Sequence, residues 1–578
     1  MLIKELREIQ RKFNGYIPED ELHALAQRLG QSKADIYGVA SFYPEFRFKA
    51  PPKVEIQVCT ALPCYMKGAE KLYREVGKLA EDREDVEVHR CPCLGRCDGA
   101  PAVTINENVH AIYGGREMYD RCLRAMNGEE VRDQDFRGVA QPPFRTDPYG
   151  AGEEKYGTLR EIVASGNYDR IVKEIESGNL RGMGGAGKPM LRKLKQTMDT
   201  PSEKKYVVAN ADESEPGTLK DREIMLNLPH CLVEGMALVA LTVGAQQGYI
   251  YIRHEYKQQA DFLRQEIALA KQAGLLGKNI LGSGRDFELE VFVSPGGYVM
   301  GEQTALLEAI EGKRGQPRNQ MVDMKERALP SFQGLWGCPT LVSNVETWTH
   351  IPLIVKNGGE AYKKMGIRGC EGIKWASVCG DVNKPGVWEV PMGTTYAEML
   401  AKAGGVSKGR KLKAFAPSGP SFPFLPATDE LLNSALDFPG TKGAPPNAVM
   451  DNGGSVGSGA IVFLAEGRCM VDAALNFTRF FRNESCGKCV PCRVGSQKMV
   501  DLIKELRNGR AKEYDYAEVI NSLADVLKLT SICGLGQVVH KPIQSVLKYW
   551  KQEVDDHLHR NICPANVCFS LYQNEEKR

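Results

Sequence analysis

Long hydrophobic runs are missing from this sequence of 578 residues. Its longest apolar stretch, MALVALTVGA at 236–245, is about half as long as the ~20 residues that a transmembrane helix requires. The first residues, MLIKELREIQRKF, have the spacing of an amphipathic helix and lack the apolar centre of a signal peptide. The sequence therefore predicts a cytoplasmic protein with no direct membrane span.

A charge excess of either sign is also missing, because 75 Lys and Arg residues balance 73 Asp and Glu residues. This balance argues against a nucleic-acid partner and against binding to an anionic membrane surface. Cysteine, by contrast, is abundant, with 17 residues. In a reducing compartment, closely grouped cysteines favour metal binding over disulfides.

Changes in composition and periodicity predict an α/β multidomain chain. Helical and then strand-like periodicity is followed by a Pro- and Gly-rich linker, a mixed region, a ubiquitin-like β-grasp region, a helical region and a tail. The expected limits are 1–130 for the first region, 131–156 for the linker and 157–365 for the mixed region. They are 366–466 for the β-grasp region, 467–560 for the helical region and 561–578 for the tail.

The strongest motif is ESCGKCVPCRVG, which places Cys486, Cys489 and Cys492 two residues apart. Cys533 follows in SICGLGQ after forty intervening residues. Three closely spaced thiolates and a distant fourth are typical of a [4Fe–4S] cluster. A zinc site would normally pair two C-x2-C units, and only one such run is present.

A second group of cysteines lies near the N-terminus. Cys59 and Cys64 are separated by four residues, and Cys93 and Cys97 by three. Two ligand pairs on successive loops of a small α/β domain predict a [2Fe–2S] cluster, with zinc as a minor alternative. Cys91 is interpreted as a bystander.

The segment RGMGGAGKPMLRK at 181–193 satisfies two phosphate-binding patterns, the P-loop and G-x-G-x-x-G. Pro189 occupies the Ser/Thr position of a P-loop, and the preceding residues predict a helix instead of the strand that both motifs require. Glycines before a helix that has Pro189 near its first turn still leave backbone N–H groups for an anion. The segment therefore predicts a phosphorylated ligand in a non-Rossmann loop, against the alternative of a flexible turn.

Several motifs together resemble the FMN-binding, NADH-oxidising subunit of respiratory complex I. They are LRGMGGAGKP, NADESEPGTLKDRE, GGYVMGEQTALLEAIEGKRGQPR, PTLVSNVETW and ESCGKCVPCRVG. The segment GYIPEDELHALAQRLGQSKADIYGVASFY, with the four N-terminal cysteines, resembles the thioredoxin-like [2Fe–2S] partner subunit. The two are fused here, as in diaphorase subunits of soluble NAD-linked hydrogenases, and related subunits serve formate dehydrogenases and electron-bifurcating complexes.

The resemblance implies a thioredoxin-like ferredoxin domain, a non-classical Rossmann-like FMN domain, an SLBB-type β-grasp domain and a helical bundle with the [4Fe–4S] cluster. It also implies FMN and NAD(H) as cofactors, since a flavin converts a two-electron hydride into single electrons. Glu215 matches the catalytic acid beside the nicotinamide. The flavin-site positions are Gly182, Gly184, Gly185, Lys193, Asn210, Asp212, Glu213, Tyr298, Gly301, Glu302, Asn344 and Thr347.

The chain departs from the family that it resembles along the wall of the NADH site. Lys188 and Gln196 replace two phenylalanines that sandwich NADH, and a third aromatic is missing from NQMVDMKERALPSFQGLWG, where Phe332 is the candidate substitute. Gln303 replaces an acid, and Ser343 replaces the first of two asparagines. Stacking of one base on an aromatic ring contributes ~1–3 kcal/mol, so these losses predict weakened NADH binding.

The sequence leaves three functions open. The chain is an NAD(H)-linked flavoprotein subunit, an NADP(H)-preferring variant, or an FMN and iron–sulfur relay and scaffold that has lost nucleotide binding. The expected partners are other iron–sulfur and catalytic subunits, NADH or NADPH, and ferredoxin. Electrons are expected to pass from FMN to the C-terminal cluster, with the [2Fe–2S] cluster off the main line.

The tail HLHRNICPANVC adds a weaker metal signal. Its His557, His559, Cys563 and Cys568 have a spacing that could hold zinc or add a ligand to a cluster, and His540 lies upstream. The alternative is a set of plain structural cysteines.

Overall fold

The N-terminal region begins with helices and continues into a mixed four-stranded sheet. The computed structural model describes residues 2–132, 138–150, 152–319, 329–441, 445–509 and 515–568. The first helices are α1 (Leu2–Lys12), α2 (Glu19–Leu29) and α3 (Lys33–Ala40). The sheet, in the order β2-β1-β3-β4, contains β1 (Val54–Cys59), β2 (Val86–Cys91), β3 (Val103–Ile105) and β4 (Asn108–His110). Its helices are α4 (Leu62–Met66), α5 (Ala69–Ala80) and α6 (Gly115–Met126).

The central region is built on a parallel sheet in the order β7-β6-β5-β8. The strands are β5 (Tyr206–Ala211), β6 (Gln247–Ile252), β7 (Glu288–Val293) and β8 (Thr340–Asn344). The helices are α7 (Gly157–Ser165), α8 (Asp169–Ser177), α9 (Met190–Asp199), α10 (Lys220–Asn227), α11 (Pro229–Val243), α12 (Lys257–Gln272), α13 (Gln303–Ile310), α14 (Val345–Asn357) and α15 (Gly359–Lys363). In open parallel sheets ligands bind beyond the carboxyl ends of the strands, which here carry most of the predicted flavin residues.

A third sheet follows, in the order β10-β9-β13-β11-β12. Its strands are β9 (Ile373–Gly380), β10 (Gly386–Pro391), β11 (Leu412–Pro420), β12 (Leu425–Pro426) and β13 (Ala460–Ala465), and its helices are α16 (Tyr396–Lys402), α17 (Asp429–Leu432) and α18 (Ala448–Asp451). β9 and β13 are parallel, whereas the other pairs are antiparallel. Helix α16 begins with a capping box between Thr395 and Glu398. A mixed sheet of this kind agrees with the β-grasp prediction.

The C-terminal region is helical, as its periodicity predicts. It contains α19 (Met470–Asn483), α20 (Val490–Arg507), α21 (Tyr516–Thr530), α22 (Gly534–Val538), α23 (Lys541–Tyr549) and α24 (Lys551–Arg560). Helix α19 packs between α20 and α23 and stacks Phe477 on Phe424 of the third-sheet region, with ring centroids 5.0 Å apart. This contact joins the helical region to the β-grasp region through buried apolar surface.

No single helix in the described ranges is both long and apolar enough to span a bilayer. The pair α10 and α11 reaches the required length and composition only together, and the two helices are bent by 91°. Helix α11 lies almost entirely inside the protein and packs on α14. Its apolar sequence is thus accounted for by the core of the central region.

Candidate functional site

The glycine segment forms a closed loop between α8 and α9. The N–H of Gly182 donates to the carbonyl of Lys188 at 2.8 Å, and the N–H of Met183 donates to Oγ1 of Thr347 at 2.9 Å. A helix, α8, precedes the loop, which confirms the argument against a P-loop and a Rossmann motif. Pro189 is the residue immediately before the first turn of α9.

A side chain larger than that of glycine would not fit at Gly184 or Gly187 of this loop. A Cβ on Gly184 would lie 3.0 Å from Cβ of Asn344, and one on Gly187 would lie 2.5 Å from the ring of Phe438. Gly185 and Gly187 also have φ angles of +138° and +61°, which side chains rarely adopt. The backbone therefore passes very close to the end of β8.

The residues that follow β5 line the same edge. Asn210 donates from Nδ2 to the carbonyl of Gly301 at 2.9 Å, which joins the end of β5 to the short helix Tyr298–Gly301 that follows β7. Oδ2 of Asp212 is buried and has no hydrogen-bond partner among the described residues. Burial raises the pKa of Asp212 to about 7. A buried carboxylate oxygen without a donor indicates a ligand with hydroxyl or N–H groups, which the ribityl chain of FMN provides.

Glu213, in contrast to Asp212, has protein donors for both of its carboxylate oxygens. Its carboxylate accepts from the backbone N–H groups of Asp221 and Arg222 at 2.8 and 3.1 Å and from the hydroxyl of Tyr256 at 3.0 Å. Burial raises the pKa of Glu213 to about 7. In this conformation Glu213 caps the start of α10.

Lys193 lies on α9 and reaches toward β8. Its Nζ donates to Oε1 of Gln303 at 3.1 Å and to the carbonyl of Val342 at 2.9 Å. Burial, reinforced by the ammonium of Lys188, lowers the pKa of Lys193 to about 8. An ammonium has three N–H donors, so one remains for an anion beside the glycine loop.

Asn344 is held by a buried charge network that the motifs did not reveal. Its Oδ1 accepts from Nζ of Lys220 at 2.9 Å, and its Nδ2 donates to Asp221 at 2.7 Å. Lys220 also pairs with Glu346 at 3.1 Å, and Glu346 pairs with Lys374 of β9. Lys220, Glu346 and Lys374 are far apart in the sequence, so only the folded chain brings these charges together and the sequence motifs could not reveal the network.

The predicted residues after β7 connect the flavin side to the helical region. The N–H of Tyr298 donates to Oε2 of Glu484 at 2.7 Å, and its ring packs on Phe480 with centroids 4.9 Å apart. Glu484 lies two residues before Cys486. Glu302 instead caps α13, accepting from the N–H of Ala305 at 2.9 Å.

Glu215 is enclosed by the β-grasp region. Its Oε1 accepts from the N–H of Ser421 and its Oε2 from Oγ of Ser458, both at 3.2 Å. Burial raises the pKa of Glu215. Oγ of Ser421 lies 3.4 Å from the hydroxyl of Tyr298. The loop PSGPSFPF therefore provides contacts between regions.

The four C-terminal cysteines converge on one small cavity. Cys486 and Cys489 lie between α19 and α20, Cys492 is in the first turn of α20, and Cys533 precedes α22. All four line the cavity, and a Cβ on Gly536 would lie 3.0 Å from Cβ of Cys492. Four thiols around one space fit a [4Fe–4S] cluster.

The four N-terminal cysteines are also brought together, and all are buried. Cys59 ends β1, Cys64 lies in α4, and the Cys59 thiol contacts both Cys64 and Cys93. The sulfurs of Cys93 and Cys97 are 3.4 Å apart, and the N–H of Gly95 donates to the Cys93 sulfur. The donor set fits a [2Fe–2S] cluster.

Two further cysteines border this group. Cys91 ends β2 in register with Cys59, so the bystander assignment stays a prediction. Cys379 of β9 lies within hydrogen-bonding reach of Cys97. Sequence reasoning did not single out Cys379, since it comes from another domain and belongs to no cysteine motif.

The altered NADH wall is polar in the structure. Oε1 of Gln196 accepts from Oγ of Ser331 at 3.0 Å, which brings the neighbouring Phe332 segment to this wall. Residues 320–328 of the long loop lie outside the described residues. Lys188 is exposed, and its positive charge contributes after burial to the lowered pKa of Lys193.

The tail prediction was wrong in one ligand. His557, Cys563 and Cys568 come together with Cys469, which the sequence pattern did not identify. His559 is exposed, and His540 is not part of the group. Cys469 was missed because it lies 88 positions before His557.

Four family profiles match this arrangement in order along the chain. They are the thioredoxin-like [2Fe-2S] ferredoxin (1–124), the Nuo51 FMN-binding domain (175–353), the SLBB domain (376–425) and the NADH-ubiquinone oxidoreductase-F iron-sulfur binding region (472–557). The fold and the sites thus define an electron-transfer protein that holds FMN, a [2Fe–2S] cluster and a [4Fe–4S] cluster.

The chain belongs to the family of the F subunits of NADH-quinone oxidoreductase. It is 38% identical to the F subunit of Streptomyces coelicolor over 71% of this chain and 88% of the relative, and 40% identical to that of Aquifex aeolicus over 67% and 85%. It is also 36% identical to the HndC subunit of the NADP-reducing hydrogenase of Solidesulfovibrio fructosivorans over 69% and 78%.

Similarity to solved structures extends over nearly the whole chain. The NAD+-reducing [NiFe]-hydrogenase in its air-oxidized state matches with a TM-score of 0.82 and 26% identity, over 96% of this chain and 93% of that one. Its H2-reduced state matches with a TM-score of 0.83 and 26% identity, over 98% and 94%.

Proposed function

We propose that this protein exchanges a hydride between NAD(H) and FMN and passes single electrons to its iron–sulfur clusters within a larger oxidoreductase complex. Bound FMN supplies the conversion between two-electron and one-electron chemistry. The observation that carries the proposal is the position of Tyr298. Its hydroxyl lies 3.4 Å from Oγ of Ser421, whose N–H donates to Glu215. Its backbone N–H donates to Glu484, two residues before Cys486.

The chain would hold FMN along the carboxyl edge of the parallel sheet. The loop at 182–187 and Lys193 would bind the phosphate through the ammonium and the N–H groups after Met183, since those of Gly182 and Met183 donate within the protein. Asp212 would accept from ribityl hydroxyls with its unpartnered oxygen. Asn210, Gly301, Asn344 and Thr347 would shape the cradle, since hydrogen bonds join Asn210 to Gly301 and Thr347 to the loop.

Glu215 would position the nicotinamide. Its carboxylate is fixed by Ser421 and Ser458, so little side-chain entropy remains to be lost when a substrate amide approaches. The enclosing β-grasp loop would also exclude water from this end of the site.

The test is an anaerobic titration of the purified, cluster-reconstituted protein, first with NADH and then with NADPH, followed by flavin bleaching. Bleaching by NADH at micromolar concentration is expected. If neither nucleotide bleaches the flavin while dithionite does, the protein is a relay that has lost nucleotide binding, and the proposal is wrong.

NADP(H) is a second candidate nucleotide. It is favoured by Lys188, an exposed cation at a position where the family has an aromatic ring, since its ammonium would attract the additional phosphate of NADPH while Lys193 serves the phosphate of FMN. Bleaching at lower NADPH than NADH concentration would select this alternative.

Relatives named as NADH-quinone oxidoreductase and hydrogenase subunits support partner subunits of the same kinds. A ferredoxin partner, a cytoplasmic location and the domain limits given above remain predictions. Analysis of the native complex by mass spectrometry would identify the catalytic subunit.

A further inference from the structure

A second kind of metal centre lies near the end of the described chain. Cys469 precedes the first turn of α19, His557 lies on α24, and Cys563 and Cys568 follow α24. The four side chains are buried, and their candidate ligand atoms lie within 4.8 Å of one another. None of them belongs to the two cysteine groups already described.

The spacing of these atoms matches a single ion. The Cys469 sulfur lies 3.5 Å from Nε2 of His557 and 3.5 Å from the Cys568 sulfur, and Nε2 lies 3.4 Å from the Cys568 sulfur. Tetrahedral zinc, with bonds of about 2.3 Å to sulfur and about 2.0 Å to nitrogen, requires edges of about 3.5–3.8 Å between ligands. A cluster with a separate iron for each thiolate needs more room.

The surrounding hydrogen bonds orient the ligands. Nδ1 of His557 donates to the carbonyl of Glu553 at 2.7 Å, so the ring proton is on Nδ1 and the lone pair of Nε2 faces the sulfurs. The N–H of Asp472 donates to the Cys469 sulfur at 3.4 Å, which favours a thiolate. Three cysteines and one histidine form a closed structural zinc set.

We propose that Cys469, His557, Cys563 and Cys568 bind one structural Zn²⁺ that braces the ligand segment of the [2Fe–2S] cluster. The ion ties the chain after α24 to the start of α19. It has no open position for a substrate, because four protein ligands fill a tetrahedral shell.

The bracing role follows from what α19 contacts near this end. Oδ2 of Asp472 accepts from the hydroxyl of Tyr65 at 2.8 Å, and Nδ2 of Asn476 donates to the carbonyl of Thr60 at 2.9 Å. Nη2 of Arg468, next to Cys469, donates to the carbonyl of Met66 at 2.9 Å. Tyr65 and Met66 follow Cys64 and Thr60 follows Cys59, so Arg468 and the first half of α19 hold the segment that carries two cluster ligands.

Metal analysis of the full-length protein, purified without a polyhistidine tag and reconstituted with iron and sulfide, tests the site. Zinc bound in a one-to-one ratio is expected in the wild type and in the control His559→Gln, since His559 is exposed on the same helix. Cys563→Ser and His557→Gln should lose the zinc. Absence of zinc from the folded wild type, or its retention in both ligand variants, overturns the site.

Cobalt distinguishes a built site from adventitious zinc without relying on a variant that folds. Protein produced with Co²⁺ in place of Zn²⁺ should show thiolate-to-cobalt charge transfer and the strong d–d bands of tetrahedral coordination. A weak octahedral spectrum would contradict the ligand set.

The bracing role has its own readout. Cys563→Ser should change the EPR line shape or the midpoint potential of the [2Fe–2S] cluster, whereas the [4Fe–4S] signal should stay as in the wild type. An unchanged [2Fe–2S] signal in protein that has lost its zinc overturns the brace. These measurements use dithionite, so they do not depend on nucleotide binding.

Discussion

Replacing Lys193 by Gln should weaken FMN binding in a pH-dependent manner. In the structure two of the three donors of Nζ are used, by Gln303 and by the carbonyl of Val342, at 3.1 and 2.9 Å. Both acceptors are neutral, so the positive charge itself is uncompensated by these contacts. The phosphate of FMN would supply that compensation.

The magnitude follows from one charge-assisted hydrogen bond. Such a bond contributes about 1.5–3 kcal/mol, which corresponds to a rise in Kd of about 10- to 150-fold in Lys193→Gln. The matched control is Lys195→Gln on the same helix, because Lys195 is 44% exposed and pairs with Glu176 at 3.2 Å. Its Kd should stay within about twofold, as exposed ion pairs contribute little.

The pH dependence has a definite sign. Burial and Lys188 lower the pKa of Lys193 to about 8, so the FMN-free protein loses this charge above that pH. A bound phosphate restores the charged form, and FMN binding therefore takes up a proton above pH 8. Since the second pKa of a phosphate monoester is about 6, the wild-type Kd should be flat between about 6 and 8 and then rise, by up to tenfold per pH unit.

The assay is quenching of FMN fluorescence on titration into flavin-depleted, cluster-loaded protein at several pH values. Thermal unfolding of each variant verifies that it is folded. A Lys193→Gln protein with wild-type affinity, or a wild-type Kd that stays flat from pH 7 to well above 8, would refute the assignment of Lys193 to the phosphate.

Three other predictions concern the hydride donor and the clusters. Glu215→Gln should slow flavin reduction by nucleotide about 10- to 150-fold, the loss of one charged hydrogen bond, and leave dithionite reduction unchanged in stopped-flow traces. Cys533→Ser should abolish the [4Fe–4S] EPR signal and retain the [2Fe–2S] signal; loss of both would contradict two separate sites. Lys188→Phe should lower the Kd for NADH about 5- to 150-fold in anaerobic titrations if the missing stacking of ~1–3 kcal/mol limits binding.

Much of this architecture could be predicted because its signals are local. The C-x2-C-x2-C run fixes three ligands by spacing alone, and the mismatch at Pro189 together with the helix before the loop removes two false motifs. Each of these inferences depends on residues within one or two turns of chain.

The parts that were missed depend on distant residues. Cys469 joins His557 across 88 positions, and Cys379 reaches Cys97 from a different sheet. Lys220 is recognisable as a buried cation only once Glu346 lies 3.1 Å away. A single cysteine or lysine carries no periodicity, so only the packing of domains reveals its partner.

Helix α19 shows why the proposed zinc should affect one cluster and not the other. Its fourteen residues span about 20 Å, from Cys469 and the contact of Asp472 to Tyr65 at one end, past the contact of Asn476 to Thr60 at the middle, to Glu484 and Cys486 at the other end. The far end is held independently by Tyr298, whose N–H donates to Glu484 at 2.7 Å. Loss of a metal at the first end releases the cysteine loop of the N-terminal domain, while the second end keeps its own attachment to the flavin region. A disturbance that reached the [4Fe–4S] cluster as well would mean that α19 moves as a whole, and that the hydrogen bond of Tyr298 does not fix its far end.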